Sequence, residues 1–164
     1  MDVRGLINKI EIETRLYKEL IALLHEETEA VIQRDYKELY KVIGHKGHVL
    51  VALERAVGDR VSFLDEILAG ESLTGEQATL SAFILKLPGS PEREELSAAR
   101  IKLQSLMDSA REVNRVNTHI VQKSLDNVNK TLGFLGNLFV KDTYGPNGAI
   151  GGMEVKGSRL SEGV

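Results

Sequence analysis

The sequence predicts an all-α fold: an antiparallel helical bundle or coiled coil of three long helices plus one short helix, with a flexible C-terminal tail. Three observations predict it. Apolar residues recur every seven positions over long stretches; aromatic residues make up only 5% of the 164 residues; and cysteine is absent. A sustained seven-residue apolar repeat marks a helix with one buried face. Scarce aromatics argue against sandwiches and barrels, whose strands draw on them. Without cysteine there is no disulfide framework, zinc–thiolate site or thiol nucleophile.

The first helix covers Val3 to about Gln33. Val3, Ile10, Tyr17, Leu24 and Val31 repeat by seven, and Leu6, Ile7, Leu20 and Ile21 widen the stripe. Gln33-Arg34-Asp35 reads as a turn, with Asp35 as N-cap and Glu38 three residues on, a capping-box pattern. A second helix then runs from Tyr36 towards Leu68 on the seam Tyr36, Ile43, Leu50, Val57 and Leu64. Two helices joined by so short a turn lie antiparallel. Gly44, Gly47 and Gly58 interrupt the second helix. Two readings of the Gly44/Gly47 pair stand side by side: a close helix crossing, or a locally loosened helix.

Thr74-Gly75-Glu76-Gln77 is a second capping-box pattern, and it opens a short helix that Pro88-Gly89 ends near Leu87. Ser90 caps the last helix, with Pro91 at its first position and Glu92, Glu94 and Glu95 complementing the helix dipole. Its stripe runs Leu96, Ala99, Leu103, Leu106, Ala110, Val113, Asn117 and Ile120, then advances by fours through Val121 and Leu125 before resuming as Leu132 and Phe139. A four-residue offset of this kind is a stutter, which locally unwinds a supercoil. From Lys141 the periodicity stops and glycine becomes frequent. The expected organisation is therefore a helical bundle over 1–140 and a flexible tail over 141–164.

Helix lengths add an inference. At 1.5 Å per residue the first two helices measure about 45 and about 50 Å, and the last about 75 Å. A hairpin of ~50 Å cannot cover a helix of ~75 Å, so the C-terminal part of the last helix is expected to project. That part carries Leu125, Val128, Leu132, Phe134, Leu135, Leu138 and Phe139, and an exposed stripe of this size is a partner site. The alternative is that it packs on the hairpin or on a second copy of the chain. Asn117, at the start of this region, occupies a core position where an apolar residue is expected, which suits a register-fixing or partner-binding role; the alternative is that the stutter rotates the stripe and leaves Asn114 and Asn117 at its edge.

Charge and composition narrow the function classes. With 21 Lys+Arg against 24 Asp+Glu, the net charge of −3 argues against non-specific nucleic-acid binding. Neither a signal-peptide core nor a membrane-length apolar run is visible, so a cytosolic protein without membrane insertion is expected. His45 and His48 stand three apart, but no third ligand or HExxH pattern accompanies them, and they read as a polar-face pair. Glu26-Glu27 and Glu94-Glu95 read as solvated carboxylates. Gly145–Gly152 follows a helix rather than a strand and lacks the context of a phosphate loop. No nucleophile–base pair, metal cluster or cofactor loop stands out, so neither catalysis nor a metal or cofactor is expected.

Three stretches carry a family resemblance: Leu39-Tyr40-Lys41-Val42-Ile43-Gly44-His45-Lys46 on the second helix, the Asn pair in Val113-Asn114-Arg115-Val116-Asn117, and Tyr144-Gly145-Pro146-Asn147-Gly148 just after the last helix. In this order the chain resembles the FlgN family of flagellar export chaperones, small cytosolic helical proteins of type III protein export. The resemblance implies two partners. The first is the C-terminal helices of the hook–filament junction proteins, on a cargo surface formed by the later part of the long helix: Asn117, Val121, Leu125, Val128, Leu132, Leu135, Leu138 and Phe139. The second is the cytosolic domain of the export-gate membrane protein, docking on Tyr144 with Gly145 and Gly148 shaping the turn. The competing expectation is a non-catalytic coiled-coil adaptor that forms a homodimer through the same stripe.

Overall fold

The structure, a computed structural model, describes residues 2–69 and 79–140, the last four as backbone alone. Among these residues it forms four helices: α1 Val3–Gln33, α2 Tyr36–Ala69, α3 Leu80–Lys86 and α4 Pro91–Val140. The all-α expectation and the three-long, one-short helix order hold. The chain divides into two units, Met1–Val121 and Gln122–Val164, and α4 contributes to both.

Helix ends follow from local chemistry. The Asp2 carboxylate accepts from the Gly5 amide at 2.8 Å and caps α1. At the other end Arg34 adopts a left-handed conformation (φ 59°), the Arg34 amide donates to the Val31 carbonyl and the Asp35 amide to that of Ala30. This is the Schellman arrangement, and a non-glycine residue in it costs about 1 kcal/mol. Asp35 then caps α2 by accepting from the Glu38 amide at 3.0 Å. The Glu38 carboxylate turns to Lys41 at 2.6 Å, so Glu38 serves the next turn rather than completing a capping box. Thr79 caps α3, which begins at Leu80; the Thr74–Gln77 pattern lies outside the described residues. Ser90 accepts from the Arg93 amide and starts α4. There the backbone amide of Glu92 and then the Ser90 hydroxyl hold the Glu92 carboxyl below its usual range.

The interior falls into two apolar clusters. At one end Leu6, Ile7 and Ile10 of α1 meet Leu64 and Leu68 of α2, Phe83 and Ile84 of α3, and Leu96 and Leu103 of α4. Further along, Leu20, Leu23 and Leu24 of α1 meet Val42, Val49 and Leu53 of α2 and Ala110 of α4. No residue of α3 enters the second cluster.

The seam of α2 differs from the expected one. Tyr36, Ile43 and Leu50 are exposed, and the buried residues are Val42, Val49, Leu53, Leu64 and Leu68. The reason is a pair of charges on each helix. Glu13 sits at the heptad position between Leu6 and Leu20 on α1, is 1% exposed, and takes Arg60 Nε of α2 at 2.5 Å. Glu27, two heptads further along α1, takes Lys46 Nζ of α2 at 2.5 Å, and Lys46 stands two heptads before Arg60. Equal steps in opposite directions define one antiparallel register. Both cations must face α1, which rotates α2 away from the purely apolar stripe. Glu27 is accordingly a half-buried paired carboxylate rather than a solvated one.

The two readings of Gly44 and Gly47 also separate. Both are exposed, α2 is continuous through them, and a Cβ at either would meet nothing within 4 Å. No close helix crossing uses them among the described residues. Gly47→Ala should therefore raise stability by about 0.5–1 kcal/mol, the ordinary helix-propensity gain, as measured by urea unfolding. A loss of stability would point to a contact at this position.

Candidate functional site

Through residue 117, α4 behaves as a bundle helix: Leu96, Leu103, Ala110 and Asn117, spaced by seven, are all buried. The last of these is an amide, and its polar atoms are all engaged. Asn117 Nδ2 donates to the Leu24 carbonyl at 2.7 Å and to Glu27 Oε2 at 3.2 Å, and Asn117 Oδ1 accepts from the Thr28 hydroxyl. Glu27 holds Lys46 with its other oxygen. One network thus ties α4 to α1 and, through Glu27, to α2.

This places Asn117 in the fold-specifying machinery and apart from the exposed residues with which the sequence pattern grouped it. Asn117 is buried, and each of its polar side-chain atoms already has a partner within the chain. Asn117→Ala should lower unfolding free energy by about 1–3 kcal/mol and leave cargo capture intact. Urea titration alongside a pulldown checks both parts, and intact stability with lost capture would return Asn117 to the binding surface.

Past this residue the character of α4 changes. Every described side chain from Val121 to Gly136 is exposed. Five of the six large apolar ones, Val121, Leu125, Val128, Leu132 and Leu135, follow one another at alternating four- and three-residue steps and share one helix face. Phe134, 66% exposed, stands beside them, and Leu132 is 60% exposed. Over 122–136 the only charged residues are Lys123, Asp126 and Lys130. The change coincides with the stutter: the buried heptad ends at Asn117, and the offset through Val121 opens the exposed stripe.

Gly133 and Gly136 lie within the same segment, and a Cβ at either would meet nothing within 4 Å. Each lowers intrinsic helix stability by about 1 kcal/mol relative to Ala. Leu138 and Phe139 belong to α4, but their side chains lie outside the described residues, as do Tyr144, Gly145 and Gly148. Exposure, the feature that most distinguishes the stripe, is invisible to periodicity; only the length arithmetic pointed to it.

Such a stripe can bury a complementary amphipathic helix, and its chemistry is that of adhesion rather than reaction. Among the described residues, no helix is long and apolar enough to cross a membrane. The fold is all-α, and its later α4 segment presents an exposed apolar helix face. A family model described as "FlgN protein" matches residues 1–151. The chain belongs to the FlgN family, a family of flagellar export chaperones. It is also 26% identical over 125 residues to the uncharacterized protein YvyG of Bacillus subtilis (strain 168), an alignment covering 76% of this chain and 75% of that relative. No solved structure matches significantly.

Proposed function

We propose that this chain is a cytosolic export chaperone that covers the C-terminal helices of the flagellar hook–filament junction proteins and delivers them to the cytosolic domain of the export-gate membrane protein. The observation that carries the reading is the exposed stripe Leu125, Val128, Leu132 and Leu135 on a helix whose preceding heptads are buried. A junction protein's terminal helix is amphipathic and prone to self-assembly, so it needs temporary cover; apolar contact along a helix face supplies that cover by burial alone. The matched Tyr144-Gly145-Pro146-Asn147-Gly148 stretch supports separate docking at the gate, outside the cargo surface.

Co-purification with each junction protein, with and without its last ~40 residues, tests the cargo assignment, since a helix lying along a groove spans several turns. Capture that survives the truncation would contradict it. Deleting residues 141–164 should spare cargo binding and weaken gate docking at least about tenfold, a change of ~1.4 kcal/mol. A truncated protein that also loses its cargo would remove this division of labour. A stable dimer by light scattering in the absence of cargo would favour the adaptor reading instead.

A further inference from the structure

We propose that the α1–α2–α4 body holds a second helix seat, separate from the α4 stripe, which accepts a short amphipathic helix of another protein with acidic residues beside its apolar seam. The seat is a groove of about 350 Å³ whose α1 wall includes Tyr17, Leu20 and Leu24. On α2, Leu50 lines it, and on α4, Met107 and Ala110 do. Leu50 is 48% exposed and lines the groove together with apolar residues of two other helices.

The molecule itself supplies the precedent for what fills such a site. In the first apolar cluster, residues of α1, α2 and α4 are joined by Phe83, Ile84 and Leu87, contributed by α3 and the residue after it. A helix of two turns is thus enough to complete that layer. In the second cluster the same three long helices meet with no contribution from α3. The groove lies at this level, sharing Leu20, Leu24 and Ala110 with the cluster.

Charge selects the occupant. Among the described residues, the charged ones lining the groove are Lys46 on α2 and Arg111 on α4, and no carboxylate lines it. Their ion-pair partners, Glu27 and Asp108, are not among the lining residues. Lys and Arg carry three and five N–H donors respectively, so each can still donate to an incoming carboxylate. Asn114 also lines the groove and offers an amide to a docked backbone. A second copy of this chain is a poor occupant: the exposed stripe over 122–136 is bordered by two Lys and one Asp, so it brings a single carboxylate to the spare donors of Lys46 and Arg111.

The test uses two synthetic helical probes of about 20 residues, long enough to form helix. Both carry the same Leu seam, flanked in one by Glu and in the other by Lys. They are titrated into the full chain bearing Leu132→Asp and Leu135→Asp, so that the α4 stripe does not compete. The Glu probe should bind at least about tenfold tighter than the Lys probe, a difference of ~1.4 kcal/mol. Leu50→Glu with Asn114→Glu should invert that order while leaving the circular dichroism unchanged, because both positions are exposed.

Equal affinity for the two probes, no binding of either, or preference unaffected by the Leu50/Asn114 variant would overturn the proposal. So would concentration-dependent mass in the absence of probe, which would assign the groove to a second copy. The inference does not rest on the cargo assignment, which is read separately by co-purification.

Discussion

Leu132→Asp combined with Leu135→Asp should abolish cargo capture and leave the fold intact. Both side chains are exposed in the free chain, at 60% and 42%, so the substitutions remove no core packing. Surface changes of this kind stay within about 0.5 kcal/mol of wild-type stability. On the bound surface the balance reverses. Burying a Leu side chain contributes about 1.5–3 kcal/mol, and a carboxylate forced into the same apolar contact adds a desolvation cost. Two such positions together weaken binding by at least ~100-fold, since each ~1.4 kcal/mol is a factor of ten. Isothermal titration with a junction-protein terminal helix reads the affinity, and far-ultraviolet circular dichroism reads the fold. Loss of helical signal in the double variant would place Leu132 and Leu135 in a core.

Arg60→Ala has the largest expected effect on stability. Its partner Glu13 is 1% exposed, and the Arg60 side chain is itself only 18% exposed. Removing the cation leaves a carboxylate buried without compensation, which costs about 3–5 kcal/mol. For a chain of this size that corresponds to a fall in Tm of roughly 6–20 °C. Replacing both partners, as Glu13→Leu with Arg60→Met, removes the buried charge altogether and recovers most of the loss. Thermal unfolding of the single and double variants forms the test. A single variant as stable as the parent would mean the pair contributes nothing to the register.

Chemistry within one helix turn is legible in this sequence, and pairing between helices is not. Val3 to Gln33, the Asp35 cap, and the Ser90–Pro91 start of α4 were legible because each depends on chemistry within a few residues. The seam of α2 was not, because hydropathy assigns Lys46 and Arg60 to the solvent face. Their burial depends on Glu27 and Glu13, which lie on another helix and stand at heptad positions that an apolar search passes over. The interrupted heptad Leu6-Glu13-Leu20-Glu27, set against Lys46-Leu53-Arg60-Ile67, was the available signal.

Asn117 illustrates the same limit on the functional side. Its place on the stripe was correct, and its position suggested register or partner binding. Its burial and its hydrogen bonds to the Leu24 carbonyl, Thr28 and Glu27 suit a register role. For Leu125 to Leu135 the opposite holds: pattern alone fits a core, and burial in the three-dimensional structure separates this segment from the heptads before it.

In the proposed function, the exposed face of α4 between Gln122 and Gly136 receives the cargo helix. Hydrogen–deuterium exchange on the full chain, with and without a synthetic junction-protein terminal helix, reads that face residue by residue. Gly133 and Gly136 weaken this stretch of helix, so its amides should exchange readily in the free chain. Marked slowing across 122–136 is expected on cargo addition. Protection confined to residues 2–69 and 79–121, with 122–136 unchanged under saturating cargo, would contradict it.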